Sequence, residues 1–203
     1  MKIHSVEQGA PEWLSLRLGM PTASEFCKII TPTGKASTQA EAYSNRLVAE
    51  LLTGKSADPF AGNDWTTRGN ELEADAAAFY ELQFGGDIKE VGFITNDEET
   101  FGASPDRLVD ENGLLEIKCP APHTHVGNLL DGQIDGKYTP QVQGQMLVTG
   151  RSWVDWLSYH PEMQPSIIRI ERDEKYLELM RSMLTEFTEN LQRKFQQLKG
   201  VAA

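Results

Sequence analysis

Asp106, Glu116 and Lys118 are the residues whose types and spacing point most directly to chemistry. They lie in the segment Ser104 to Cys119, which reads Ser-Pro-Asp-Arg-Leu-Val-Asp-Glu-Asn-Gly-Leu-Leu-Glu-Ile-Lys-Cys. Two carboxylates can hold a hard divalent cation through oxygen. A lysine beside them can sit next to the water that such a cation activates. That is the minimal kit for hydrolysing a phosphodiester. The same spacing also fits a surface hairpin with a charged face.

The surrounding elements must bring the three groups together. Asn112-Gly113 between two apolar runs is a strong hairpin signal. Side chains alternate along a strand, so Glu116 and Lys118 share a face. A two-residue loop at Asn112-Gly113 pairs Val109 with Glu116 and turns Asp106 to the other side. A three-residue loop, Glu111-Asn112-Gly113 with Gly113 left-handed, pairs Asp106 with Lys118 and puts all three on one face. The longer loop or a β-bulge is therefore expected.

Other places could contribute. Glu73 lies on a helix expected from Arg68 to Phe84. Ala76, Ala77 and Tyr80, one turn on, mark a semi-buried face there. A carboxylate at that place is a candidate third ligand or simply part of a solvated face. Ser24 follows Thr22 in Thr-Ala-Ser-Glu, which reads as a capping box. A helix N-terminus attracts phosphate, and Arg17 near the end of the preceding helix could reach the same anion. Tyr138, Gln141, Gln143 and Gln145 crowd the start of another helix, where amides could orient a water or a phosphate. His123 and His125, flanked by proline, read as loop residues near the site entrance and make a weak zinc signal.

Composition narrows the class. The 203 residues suit one domain, 1–203, with a good-sized core. Apolar content is 39% and charged content 24%, so the chain should be globular. No apolar run approaches membrane-spanning length, and the start Met-Lys-Ile-His-Ser lacks a signal-peptide apolar stretch. Two cysteines, Cys27 and Cys119, make no disulfide framework. A reducing, cytoplasmic setting is expected. The net charge of −11 opposes simple polyanion binding. If DNA is the substrate, basic groups must gather in a local groove, and part of the acidic excess could be metal ligands that bound cations neutralise.

The element order reads as α/β. Helices are expected over Pro11–Leu18, Thr22 to about Ile30, Thr38 to about Leu52, and Arg68–Phe84. Strands are expected near Ile88–Asn96, Phe101–Val109 and Leu114–Cys119, after which Pro120 and Pro122 break regular structure. A helix starting at Thr139-Pro140 ends before Gly150. Strands follow at Ser152–Tyr159 and Ile167–Glu171. Tyr176, Met180, Met183, Leu184, Phe187, Leu191 and Leu198 form the stripe of a long last helix. The expected fold is a central mixed β-sheet flanked by helices.

Taken together, several segments resemble the lambda exonuclease family of phage recombination nucleases, within the PD-(D/E)xK superfamily. They are Glu-Gln-Gly near residue 7, Glu-Trp-Leu-Ser-Leu-Arg-Leu-Gly at 12–19, Thr-Ala-Ser-Glu at 22–25 and Gly-Asn-Glu-Leu-Glu-Ala-Asp-Ala at 69–76. Ser-Pro-Asp at 104–106, Leu-Glu-Ile-Lys-Cys-Pro at 115–120, Gln-Val-Gln at 141–143 and Ile-Glu-Arg-Asp-Glu-Lys-Tyr at 170–176 complete the set. The ordered set spans nearly the whole chain.

The resemblance implies a restriction-endonuclease-like core and a role for each matched position. Asp106 and Glu116 correspond to metal-binding carboxylates, with the Ile117 carbonyl a further ligand. Lys118 corresponds to the residue that positions the attacking water. Glu73 matches the helix carboxylate, and Gln141 the motif glutamine, with Gln143 the alternative. Arg17, Ser24 and Ser104 match a pocket for a terminal 5′-phosphate, and Trp13 an aromatic near the DNA end. Arg107 departs from the pattern, since a Gly often follows the Asp. The implied activity is Mg²⁺-dependent 5′-to-3′ digestion of one strand of linear duplex DNA, with two ions and with Mn²⁺ able to substitute. The implied assembly is a homotrimer ring that works with a single-strand annealing protein in a bacterial host or from a prophage. Two rivals remain at this level: an endonuclease of the same superfamily, and a non-catalytic module that binds DNA ends. An iron–sulfur nuclease needs four cysteine ligands where this chain has two.

Overall fold

The computed structural model describes residues 1–57 and 64–200, with side chains described from residue 72 onward in the second stretch. The chain runs β1 (Lys2–His4), α1 (Pro11–Arg17), a 3-10 turn (Ala23–Lys28), α2 (Ala40–Thr53) and α3 (Asp64–Phe84). Short strands follow: β2 (Ile88–Glu90), β3 (Phe93–Thr95), β4 (Gly102–Ala103), β5 (Arg107–Val109) and β6 (Gly113–Lys118). Then come α4 (Pro122–Asp131), α5 (Thr139–Thr149), β7 (Trp153–Ser158), β8 (Ser166–Glu171) and α6 (Glu174–Lys199).

The main sheet has the order β2-β5-β6-β7-β8. Every pair in it is antiparallel except β6 with β7, whose parallel pairing is reached through α4 and α5. A second sheet joins β1, β3 and β4. The mixed sheet flanked by helices is thus as expected. The two long strands expected over 88–96 and 101–109 are each broken, and their halves go to different sheets.

Alternation along β6 sorts its side chains between two helices. Leu115 and Ile117 meet Ala76, Ala77 and Tyr80 of α3. Leu114 meets Val142 and Met146 of α5, together with Val154 and Trp156 of β7. Covered on both sides, β6 is buried from Gly113 to Ile117, as a central strand must be. A third cluster packs α6 on α2 and the 3-10 turn, using Tyr176, Met180, Leu184, Phe187 and Leu191. Leu198, expected in that stripe, is exposed.

Three local expectations differ. The segment after Thr22 is a short 3-10 turn without a side-chain cap, and α2 starts at Ala40 with no side-chain cap from Gln39. The His123 and His125 segment is not a loop, because Pro122 occupies the first turn of α4, where its missing N–H costs nothing. The β5–β6 loop is three residues long but spans Asp110 to Asn112, since Val109 pairs with Gly113. Asp110, not Gly113, carries the positive φ, 46°.

Gly144 on α5 shows how tightly the 3-10 turn is seated. A Cβ there would lie 2.4 Å from the Phe26 ring, which is fully buried. Gly144→Ala gains about 1 kcal/mol of helix propensity, but overpacking costs about 1–3 kcal/mol, and Phe26 has no space to retreat into. A net loss of stability is expected, read as a lower urea midpoint at unchanged m value. A midpoint at or above wild type would mean that the Phe26 ring can move aside.

Candidate active site

The β5–β6 hairpin places its functional groups by register. Arg107 pairs with Leu115, so Asp106, one residue earlier, faces Glu116. All three even-numbered groups therefore share the sheet face that α5 covers. The Asp106 Oδ2 accepts a hydrogen bond from the Ile117 N–H at 2.5 Å. The Lys118 ammonium donates to Glu116 Oε1, and its Nζ lies 5.9 Å from the Tyr138 ring centre. Gln141 of α5 donates to the same Glu116 oxygen at 2.6 Å. Gln145, one turn further, donates to Glu116 Oε2 at 2.5 Å.

Electrostatics at this point call for a cation. Burial, then the charge of Glu116, pushes the Asp106 carboxyl well above the usual carboxylate range. Burial alone would lower the Lys118 ammonium, but the charges of Glu116 and Asp106 outweigh it, and its pKa is raised. One lysine thus sits between two carboxylates, one of them 2% exposed. Oxygen donors, like charge and burial together fit a hard divalent ion.

Glu73 is placed differently. Alternation turns Arg107 toward the α3 side of the sheet. There its guanidinium meets Glu73 Oε1 at 3.1 Å, Glu90 at 3.1 Å and the Asp106 carbonyl at 2.6 Å. Among the described residues, no three His, Cys, Asp or Glu side chains converge on one point. The assembled acidic pair is Asp106 with Glu116, and Glu73 is held beside it by Arg107.

A second cluster adjoins the first. The Arg17 guanidinium stacks 4.0 Å above the Trp13 ring centre. It lies 3.3 Å from Thr22 Oγ1 and 3.5 Å from Ser104 Oγ. Trp13 Nε1 donates to Ser104 Oγ at 2.9 Å and to the Gly92 carbonyl at 3.1 Å. Ser24 Oγ lies 3.3 Å from Thr22 Oγ1. Ser24 joins the cluster through its hydroxyl, since a six-residue 3-10 turn carries no macrodipole worth invoking. Burial pushes the Arg17 pKa down to about 10, still charged at neutral pH. Among the described residues Arg17 makes no ion pair.

The second cluster opens on a cleft of about 1440 Å³, lined by Trp13, Arg17, Thr22 and Ser24 among others, and the first cluster reaches the same cleft through Asp106. Among the described residues, two of the basic groups lining this cleft are paired with carboxylates. Arg46 is matched by Glu25, and Arg107 by Glu73 and Glu90.

Two predicted candidates lie elsewhere. Gln143 points to the opposite side of α5, where it bonds the Glu171 carbonyl at 2.9 Å and accepts from the Asp173 N–H at 3.0 Å. Two residues along a helix cannot share a face with Gln141. His123 is exposed, while His125 is buried against Ser158 and the Gln164 carbonyl. Gln145, one of the amides expected to crowd α5, joins Gln141 on Glu116 because the two are four residues apart.

Comparison with known proteins agrees with this geometry. The family model described as the YqaJ-like viral recombinase domain matches residues 12–152. The crystal structure of an alkaline exonuclease from Laribacter hongkongensis is 36% identical, with a TM-score of 0.86, covering 95% of this chain and 98% of that one. The same enzyme in complex with dAMP superposes with a TM-score of 0.85, at the same identity and coverage. A phage related exonuclease from Haemophilus somnus 129PT shares the fold at 17% identity and a TM-score of 0.68, covering 88% of this chain and 96% of that one. No curated protein sequence matches. Among the described residues, no helix is long and apolar enough to cross a membrane. With the family model matching 141 residues from Glu12 to Ser152, and with the restriction-endonuclease-like sheet that carries Asp106, Glu116 and Lys118, the chain belongs to the YqaJ-like viral recombinase family.

Proposed function

We propose that this chain is a metal-dependent exonuclease. It digests one strand of linear double-stranded DNA from a 5′-phosphorylated end, 5′ to 3′, releasing mononucleotides. The 3′ single-stranded overhang it leaves serves recombination by strand annealing. The observation that carries this reading is that Asp106 lines the same cleft as Arg17 and Ser24. The Asp106, Glu116 and Lys118 hairpin is tied to the half-buried Arg17 guanidinium through Ser104, two residues before Asp106.

Asp106, Glu116 and the Ile117 carbonyl would hold Mg²⁺ or Mn²⁺, with Glu73 a further ligand once it leaves Arg107. When bound, such ions supply positive charge and a more acidic water. Lys118 adds charge at the pentavalent phosphorus. Gln141 holds Glu116 in place. Arg17, Ser24 and Ser104 grip the terminal phosphate, with Trp13 beneath the guanidinium. The 36%-identical exonuclease binds dAMP, a molecule of the proposed product class.

Assembly belongs to the same reading. Three copies closed as a ring would gather basic residues in a channel, which suits a chain of net charge −11. A single-strand annealing protein is the expected partner for the overhang.

The test is digestion of linear against covalently closed circular duplex with Mg²⁺, comparing 5′-phosphate with 5′-hydroxyl ends. Phosphorylated linear DNA should be consumed to mononucleotides while the circle stays intact. Cutting of the circle would favour an endonuclease, and binding without cleavage a DNA-end module. Light scattering of the same preparation should read a trimer mass. A fully processive monomer would remove the ring.

A further inference from the structure

We propose that Gln145 is a positioning residue for the metal-binding carboxylate Glu116, an assignment that rests on the reading above. Three observations carry it. Gln145 is 1% exposed, and its Nε2 donates to Glu116 Oε2. The other carboxylate oxygen is already taken by Gln141 and Lys118. Finally, among the described residues the Gln145 Oε1 has no hydrogen-bond partner.

The orphaned oxygen is the telling one. A buried acceptor without a donor is destabilising. Gln145 lies on a helix whose neighbours Val142, Met146 and Leu147 are apolar and buried, so packing alone does not call for an amide there. What the amide adds is its N–H on Glu116. An ionised carboxylate only accepts hydrogen bonds, so the donor end of the amide must face it.

Gln141 and Gln145, four residues apart, stand on one face of α5. They hold Glu116 by one oxygen each, and so fix its rotation about the last side-chain bond. A ligand held this way loses little freedom when it takes a cation. Gln145 therefore adds little net stability, its orphaned oxygen offsetting the donor it gives Glu116, and contributes metal affinity.

The experiment uses the full chain with Gln145→Met, which keeps the volume, and Gln145→Asn, which keeps the amide but is one methylene too short. Mn²⁺ binding is titrated by electron paramagnetic resonance without DNA, and thermal midpoints are read in chelator. Both variants should bind Mn²⁺ about tenfold more weakly or worse, as for loss of a hydrogen bond to a charged group. The Mg²⁺ concentration for half-maximal cleavage should rise by the same factor. The midpoint of Gln145→Met should change little, because removing the orphaned amide oxygen offsets the donor that Glu116 Oε2 loses. Mn²⁺ affinity within twofold of wild type in Gln145→Met overturns the proposal. So does a large fall in midpoint, or failure of both variants to fold, since either makes the residue structural. A wild-type chain that binds no Mn²⁺ and cuts no DNA overturns the functional reading itself, and this inference with it.

Discussion

Asp106→Asn and Glu116→Gln are each expected to abolish cleavage while leaving the fold and DNA binding largely intact. Each change removes one anionic oxygen from a pair that must hold a hard cation, yet keeps the side chain's shape. Asp106→Asn carries a second, opposite expectation. The raised Asp106 pKa, caused by burial and then by Glu116, means that the folded state resists its ionisation. A carboxyl raised in the folded state makes stability fall as pH rises from its ordinary value toward the raised one. Lys118 offsets part of this and Glu73 adds to it. In chelator, Asp106→Asn should therefore melt at or above the wild-type temperature, by a margin that grows as pH rises above the ordinary carboxylate range. A margin that shrinks with pH would show that Asp106 is stabilised as the anion. Lys118→Ala should slow the chemical step roughly 10²-fold or more, with little change in metal binding. Near-wild-type turnover in either carboxylate variant at saturating Mg²⁺ would remove the assigned site.

Arg17→Ala is expected to erase most of the preference for 5′-phosphate over 5′-hydroxyl ends. The guanidinium is fixed from below by Trp13 at 4.0 Å and flanked by Thr22 and Ser104 hydroxyls. Burial lowers its pKa to about 10, against the raising charges of Tyr43, Glu25 and Glu50, and among the described residues no carboxylate forms an ion pair with it. Such a cation favours a dianionic terminal phosphate over a bridging monoanion. A hydrogen bond to a charged group is worth about 1.5–3 kcal/mol, or about 10- to 100-fold. Loss should appear in competition between the two end types, measured with a strand-specific label on a blunt duplex. Shortening of the 3′-labelled end first, or a preference kept in full by Arg17→Ala, would refute both the pocket and the polarity.

Parity along the strands was legible in the sequence. Asn112-Gly113 marked a turn, and period-two alternation required an odd-length loop if Asp106 was to face Glu116 and Lys118. Any loop of the right parity satisfies that, so the sequence could not choose between one centred on Asn112 and one centred on Glu111. The choice came from across the molecule. Arg151 donates to the carbonyls of Val109, Asp110 and Gly113 at 3.0, 2.9 and 2.6 Å, and the Trp153 ring fills the space a Cβ on Gly113 would need. Gly113 is therefore glycine for close packing and not for a left-handed turn.

The helical spacing on α5 was equally readable, since residues four apart share a face and residues two apart do not. That rule separates Gln143 from Gln141 and pairs Gln141 with Gln145. It does not say which face meets Glu116, which only the packing of α5 on the even-numbered side of β6 decided. The partners of Glu73 and Arg17 were also beyond the sequence. Arg107 reaches Glu73 because alternation sends it to the α3 side, and Arg17 meets Ser104 because Trp13 of α1 docks on the Gly92 carbonyl. Local periodicity sets which residues can look the same way. Long-range packing, which joins Trp13 to Ser104 across 91 positions, sets what they look at.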